Sequence, residues 1–132
     1  MSRQNVEIAR RAYEAFNAGD ISGWLSLHSA DAALYELPIL PDREVHRGHG
    51  EMRTWAEGVI ETTEYFRLEP HRFIEAGDSV LVPLRVSAKG RGSGVPTEMS
   101  VVHVLELSDG KIRCLSNYAD EAEALKALGV RE

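Results

Sequence analysis

The chain has 132 residues, 43% of them hydrophobic and 27% charged, with a formal net charge of -6. That size and balance fit one folded domain over residues 1–132 and exclude a disordered polar chain. The acidic charge argues against nucleic acid and anionic membrane as main partners, because both reward a basic face.

In chain order, Met1–Asn5 lead directly into a helical pattern, with no signal-peptide core, so a cytoplasmic location is expected. Val6, Ala9, Tyr13 and Phe16 recur at helical spacing and predict a helix from about Gln4 to Ala18. Gly19 stops it, and Asp20 caps a short second helix carrying Trp24, Leu25, Leu27 and His28. Ala32–Leu37 reads as a strand, and Pro38 and Pro41 in "LPILPD" then break regular structure. After "RGHG" comes a third amphipathic helix with Met52, Trp55, Ala56, Val59 and Ile60 on one face.

Beyond Thr62 the period falls to two. Arg67–Ala76, Ser79–Gly90, Thr97–Leu107 and Lys111–Ala119 read as strands, with turns at Gly77-Asp78 and Ser108-Asp109-Gly110. Pro83 inside the second of these predicts an edge position or a bulge. A short helix capped by Asp120 closes the chain, carrying Ala124, Leu125 and Leu128. No apolar run is long enough to span a bilayer. Cys114 is the only cysteine, so no intrachain disulfide can form, and an inert buried thiol is expected. The predicted class is α+β, with helices on one side of an antiparallel sheet. Such a layer pair encloses a concavity suited to a small apolar ligand.

The segments "RRAYEAFNAGD", "GHGEMRTWAEG", "EAGDSVLVPLRVSAKGRGSG" and "SVVHVLELSDGKI" together resemble SnoaL-like proteins of the ketosteroid-isomerase and NTF2-like superfamily. The resemblance runs from about Val6 to Gly129. It implies a cone of three helices wrapped on a curved antiparallel sheet, often paired as a homodimer through the outer sheet face. This fold carries isomerases, cyclases, hydrolases, dehydratases and non-catalytic domains, so the site decides function.

Aligned on "NAGD", the isomerase base corresponds to Glu36 here, and its oxyanion tyrosine to Ala12. Tyr13 is the next residue, about 100° further round the helix. Aligned on the "DGKI" strand pair, the oxyanion aspartate corresponds to Val102. A possible base is thus present without either donor, which argues against steroid isomerisation by that machinery. No Arg-x-Asp occurs, which argues against the limonene-epoxide hydrolase mechanism. The polyketide cyclases of the family use an aspartate and histidines, for which this chain offers Glu36, His28, His103 and Asp120.

Glu36 lies among Leu34, Tyr35, Leu37, Pro38, Ile39 and Leu40, where desolvation would raise a carboxyl toward general-base range. Along the strand Met99–Leu107, alternation puts Val101, His103 and Leu105 on one face and Val102 and Val104 on the other. The resemblance turns Val102 and Val104 toward the cone and His103 outward. The resemblance also implies a pocket-lining row with Asn117 and Leu115 and a pocket wall at Trp55, and His28 on the second helix can point inward. His46 and His49 flank Arg47-Gly48 without a second cysteine or a His-Glu-x-x-His, so they read as a surface pair and no metal is expected.

The expectation is a cofactor-independent isomerase, cyclase or dehydratase. Glu36 would act as acid/base on a small apolar molecule contacted by Trp55, Asn117, His28, Val102, Val104 and Leu115. The alternative is a non-catalytic ligand-binding or dimerisation domain. A homodimer is expected because Met99–Leu107 is apolar on both faces and needs cover on both.

Overall fold

The computed structural model describes residues 2–37 and 44–129. Three helices, α1 (Ser2–Asn17), α2 (Ile21–Ser26) and α3 (Gly48–Thr62), pack on seven strands, and α4 (Glu121–Leu128) closes the chain. The strands are β1 (His28–Tyr35), β2 (Val45–Arg47), β3 (Thr63–Pro70), β4 (Ile74–Ala76), β5 (Ser79–Gly90), β6 (Pro96–Ser108) and β7 (Lys111–Tyr118). They run β2-β1-β7-β6-β5-β3, with β4 also paired to β5. Every pairing is antiparallel except β1 with β7, where Leu34 lies beside Leu115. The α+β class therefore holds, with one parallel contact between the early strand and the last one.

Local chemistry sets the breaks. Gly19 takes φ +76°, a left-handed value that costs glycine no steric strain, and ends the first helix. The Asp20 carboxylate accepts the Gly23 N–H at 2.9 Å and starts the second. Asp109 and Gly110 both have positive φ, which gives the two-residue β6–β7 turn the twist a hairpin favours.

Four sequence expectations are corrected. His28 opens β1 instead of sitting on α2. Its Nδ1 lies 2.8 Å from the Trp24 carbonyl four residues back, a spacing that mimics a helical position while the side chain caps the helix end. The strand expected at Arg67–Ala76 is two strands, separated at residues 71–73. Pro83 lies in a central strand, opposite that gap. Its carbonyl accepts from the His71 N–H at 2.8 Å, so its missing N–H faces the gap between β3 and β4, where no ladder donor is needed. A short β2, unforeseen, pairs with β1, and the break predicted at Pro38 and Pro41 lies outside the described residues.

The fourth correction concerns β6. Val101, His103, Leu105 and Leu107 face the helices, whereas Val102 and Val104 face the other way with Leu81. Ala124, Leu125 and Leu128 of α4 cover that outer patch, and Arg72 pairs with Glu121 at the start of the helix. Both rows of β6 are apolar because the chain's own C-terminal helix covers the second one. The cover that suggested a dimer is supplied within the chain. Beyond α4 the outer face is polar: Arg85 bonds Glu69 at 3.2 Å and lies 3.9 Å from Glu98.

Candidate functional site

The helices and the inner sheet face enclose a cavity of about 70 Å³. α1 supplies Ala12, Tyr13 and Phe16; the capped α2 supplies Trp24; α3 supplies Trp55. The sheet supplies, among others, Leu34, Phe66, His103, Leu105, Leu115 and Asn117. Phe16 is the hub of the aromatic wall, with ring centroids 5.2 Å from Trp24, 5.8 Å from Trp55 and 5.9 Å from Phe66. Edge and tilted contacts of this kind add to the burial each ring already contributes. Among the described residues, the cavity lining carries no Asp, Glu, Lys or Arg.

Its polar groups form one connected chain. The Tyr13 hydroxyl lies 2.8 Å from His103 Nδ1, both buried, and the two rings stack with centroids 5.8 Å apart. His103 and Asn117 are direct partners across β6 and β7, and their side chains hydrogen-bond. Asn117 Nδ2 donates to the Tyr35 carbonyl at 3.0 Å. Burial holds His103 down to about 4 and pushes the Tyr13 phenol above its usual range, so both are neutral at physiological pH. A neutral imidazole has one N–H. With the Asn117 amide N–H on Tyr35, its oxygen is the acceptor for His103, and Nδ1 accepts from Tyr13. The chain therefore runs Tyr13 O–H to His103, His103 N–H to Asn117, and Asn117 N–H to Tyr35.

Tyr13→Phe would leave His103 Nδ1 buried without its donor. A loss of about 1–3 kcal/mol in urea unfolding free energy is expected, and a change within error would mean that water replaces the hydroxyl.

Of the sequence-derived residues, Trp55, Leu115 and Asn117 line the cavity. Val102 and Val104 lie behind the sheet, under α4. His28 is buried beneath Trp24, with ring centroids 4.9 Å apart, and does not line the cavity. Its bond to a carbonyl places the proton on Nδ1, and Nε2 has no partner. Burial lowers its pKa to about 4.

Glu36 follows β1 and also lies outside the cavity lining. Its backbone N–H donates to the Glu44 carbonyl at 3.0 Å, and its carboxylate lies 2.7 Å from His46 Nε2. Among the described residues, Glu36, Glu44 and His46 bring three ligand-type atoms within 4.8 Å of one another, a group that could hold a cation. His46 also packs on Trp55, with centroids 6.0 Å apart. His46 and His49, read from sequence as surface residues, are both half-buried, His46 against Glu36 and His49 against the His28 carbonyl at 3.1 Å.

Tyr13 is the site residue that sequence reading missed, and His103, named there but turned outward, lines the cavity. The available signal was the row Val101, His103, Leu105 and Leu107, whose lone polar member needs a partner once buried.

The SnoaL-like domain profile matches residues 9–115. The chain belongs to the SnoaL-like domain family. This SnoaL-like chain shares its fold with an NTF2-like protein of unknown function from Burkholderia pseudomallei, at 24% identity and TM-score 0.77, covering 93% of this chain and 95% of that one. TerC co-crystallised with polyporic acid superposes at TM-score 0.75 and 24% identity, covering 95% and 97% of the two chains. A ketosteroid-isomerase-like protein from Catenulispora acidiphila in complex with trimethylamine gives TM-score 0.76 at 16% identity, covering 95% and 94%. By sequence, no curated protein matches the chain. No helix among the described residues is long and apolar enough to cross a membrane.

Proposed function

We propose that this SnoaL-like chain binds a small, uncharged, largely apolar molecule in the cone, with the Tyr13–His103–Asn117 chain receiving its one polar group. The observation that carries this reading is a largely apolar lining that, among the described residues, has no formal charge and a single hydrogen-bonded chain. A charged ligand would lose its hydration there and find no counter-charge, at a cost of several kcal/mol. TerC and the Catenulispora protein, both crystallised with small molecules, support small-molecule binding by likeness of fold, while the uncharged character of the ligand rests on the lining alone. An NMR titration with phenol and benzoate tests it. Phenol is expected to shift the resonances of Tyr13, His103 and Leu115, and benzoate to leave them in place. Equal response to both, or to neither, contradicts the reading.

A catalytic reading rests on a different observation, the 2.7 Å contact of Glu36 with His46 beside Trp55. A carboxylate that orients an imidazole is a proton-transfer pair, and such a pair contributes about 100-fold or more. In this reading Glu36 and His46 move a proton at the cavity mouth, in an isomerisation, cyclisation or dehydration that needs no cofactor. Solvent deuterium exchange beside the carbonyl of cyclohexanone measures this without a known substrate. The wild-type chain should accelerate exchange, and Glu36→Gln should abolish the acceleration; equal rates would leave binding as the whole function.

The family resemblance implies a homodimer on the outer sheet face. That contact would be made by Glu69, Arg85 and Glu98 and would weaken with salt. Sedimentation at micromolar concentration should then show a dimer that dissociates at high ionic strength, and a monomer at both salt levels refutes it.

A further inference from the structure

The cavity is smaller than the ligands it is suited to: an apolar cavity of about 150 Å³ holds benzene, and this one has about 70 Å³. A ring can enter only if part of the wall moves. Three wall residues also line outer clefts, Phe16 and Phe66 on one side and Trp55 on the other, and the two sides differ in how freely they can open.

Phe66 borders a cleft of about 250 Å³ that also carries Glu64, Arg67 and Arg91. It sits on β3 between residues fixed in register with β5. Asn17 of α1 clamps the backbone close by, donating to the Leu68 carbonyl at 2.7 Å and accepting its N–H at 2.9 Å. That wall is tied at both ends and opens onto charges. Trp55 borders a cleft of about 280 Å³ formed with His46, Gly50, Glu51 and Thr54. Trp55 is half-buried, as Phe66 is, but a Cβ placed on Gly50 would meet nothing within 4 Å, so this cleft has room beside the helix. The indole thus stands between an undersized inner space and a larger outer one.

We propose that Trp55 is the partition through which ligand reaches the cone, and that its displacement toward the His46–Gly50 cleft sets the largest ring the site accepts. The inference rests on the cavity being the ligand site. His46, held by Glu36, forms the floor onto which the indole turns.

Protein labelled with 5-fluorotryptophan gives one ¹⁹F line for Trp24 and one for Trp55, assigned with Trp55→Phe. On saturation with phenol, the Trp55 line should gain sensitivity to exchange of H₂O for D₂O, and the Trp24 line should not. A second arm uses Trp55→Ala, in which 1-naphthol should bind about tenfold tighter than in the wild type while phenol changes far less. If phenol shifts the Leu115 methyls while Trp55 stays unchanged and the size preference of Trp55→Ala is that of the wild type, the partition is elsewhere and the cavity remains the ligand site. If phenol leaves Leu115 unmoved in both proteins, the cavity reading fails and this inference fails with it.

Discussion

Lowering the pH from about 7.5 to about 5 is expected to remove about 4 kcal/mol of unfolding free energy, about 2 kcal/mol from each of two histidines. His28 and His103 are both buried, and burial lowers each from 6.5 to about 4. Between those two values the unfolded chain binds protons that the folded chain refuses, so stability rises with pH there. The contribution is fully present above 6.5, is lost progressively as pH falls toward about 4, and falls no further from these groups below that. Urea unfolding at both pH values measures the loss, and His28→Phe should abolish about half of it. A pH-independent midpoint across this window would mean that both imidazoles titrate freely, and His103 would then not be sealed in the cavity.

Val104→Asp is expected to cost roughly 3–5 kcal/mol, the scale of a buried charge without a partner. Val104 is 4% exposed and lies beneath α4 with Leu81 and Val102. Met99, on the same strand, is 46% exposed, and Met99→Asp should stay within about 0.5 kcal/mol. Hydrogen exchange identifies what covers Val104. The amides of Glu121–Leu128 should lose protection in Val104→Asp, because the carboxylate sits under that helix. Retained protection there, with new exchange in α1 and α3, would return Val104 to the cone side of the sheet.

These two predictions also mark what the sequence could and could not reveal. Signals confined to a few neighbouring residues were legible: the Gly19-Asp20 break, the Asp109-Gly110 turn, and the Asp120 cap, whose carboxylate accepts the Glu123 N–H at 2.9 Å. Helical spacing put Phe16 and Trp55 on apolar helix faces and alternation put Leu115 with Asn117, and the family resemblance turned Trp55, Leu115 and Asn117 toward the pocket. The face of β6 was not legible. Both its rows are apolar, and the choice depends on α4, which returns from the end of the chain to cover one of them. Tyr13 was hidden by its neighbour: Ala12 and Tyr13 both reach the cavity wall, and only the tyrosine reaches across it to His103. His28 misled because it bonds a carbonyl four residues back, as a helical residue would. Glu36 was placed by its apolar neighbours in sequence, but its partner is His46 on an adjacent short strand, a pairing no local pattern announces.

A crystal grown with excess phenol tests the cavity and its polar chain together. Density for the ring is expected among Phe16, Trp24 and Phe66, its oxygen within hydrogen-bond reach of Tyr13 or Asn117, and Trp55 turned toward His46. Phenol found only in outer clefts, with the inner cavity still closed around Tyr13 and His103, would contradict the cavity reading.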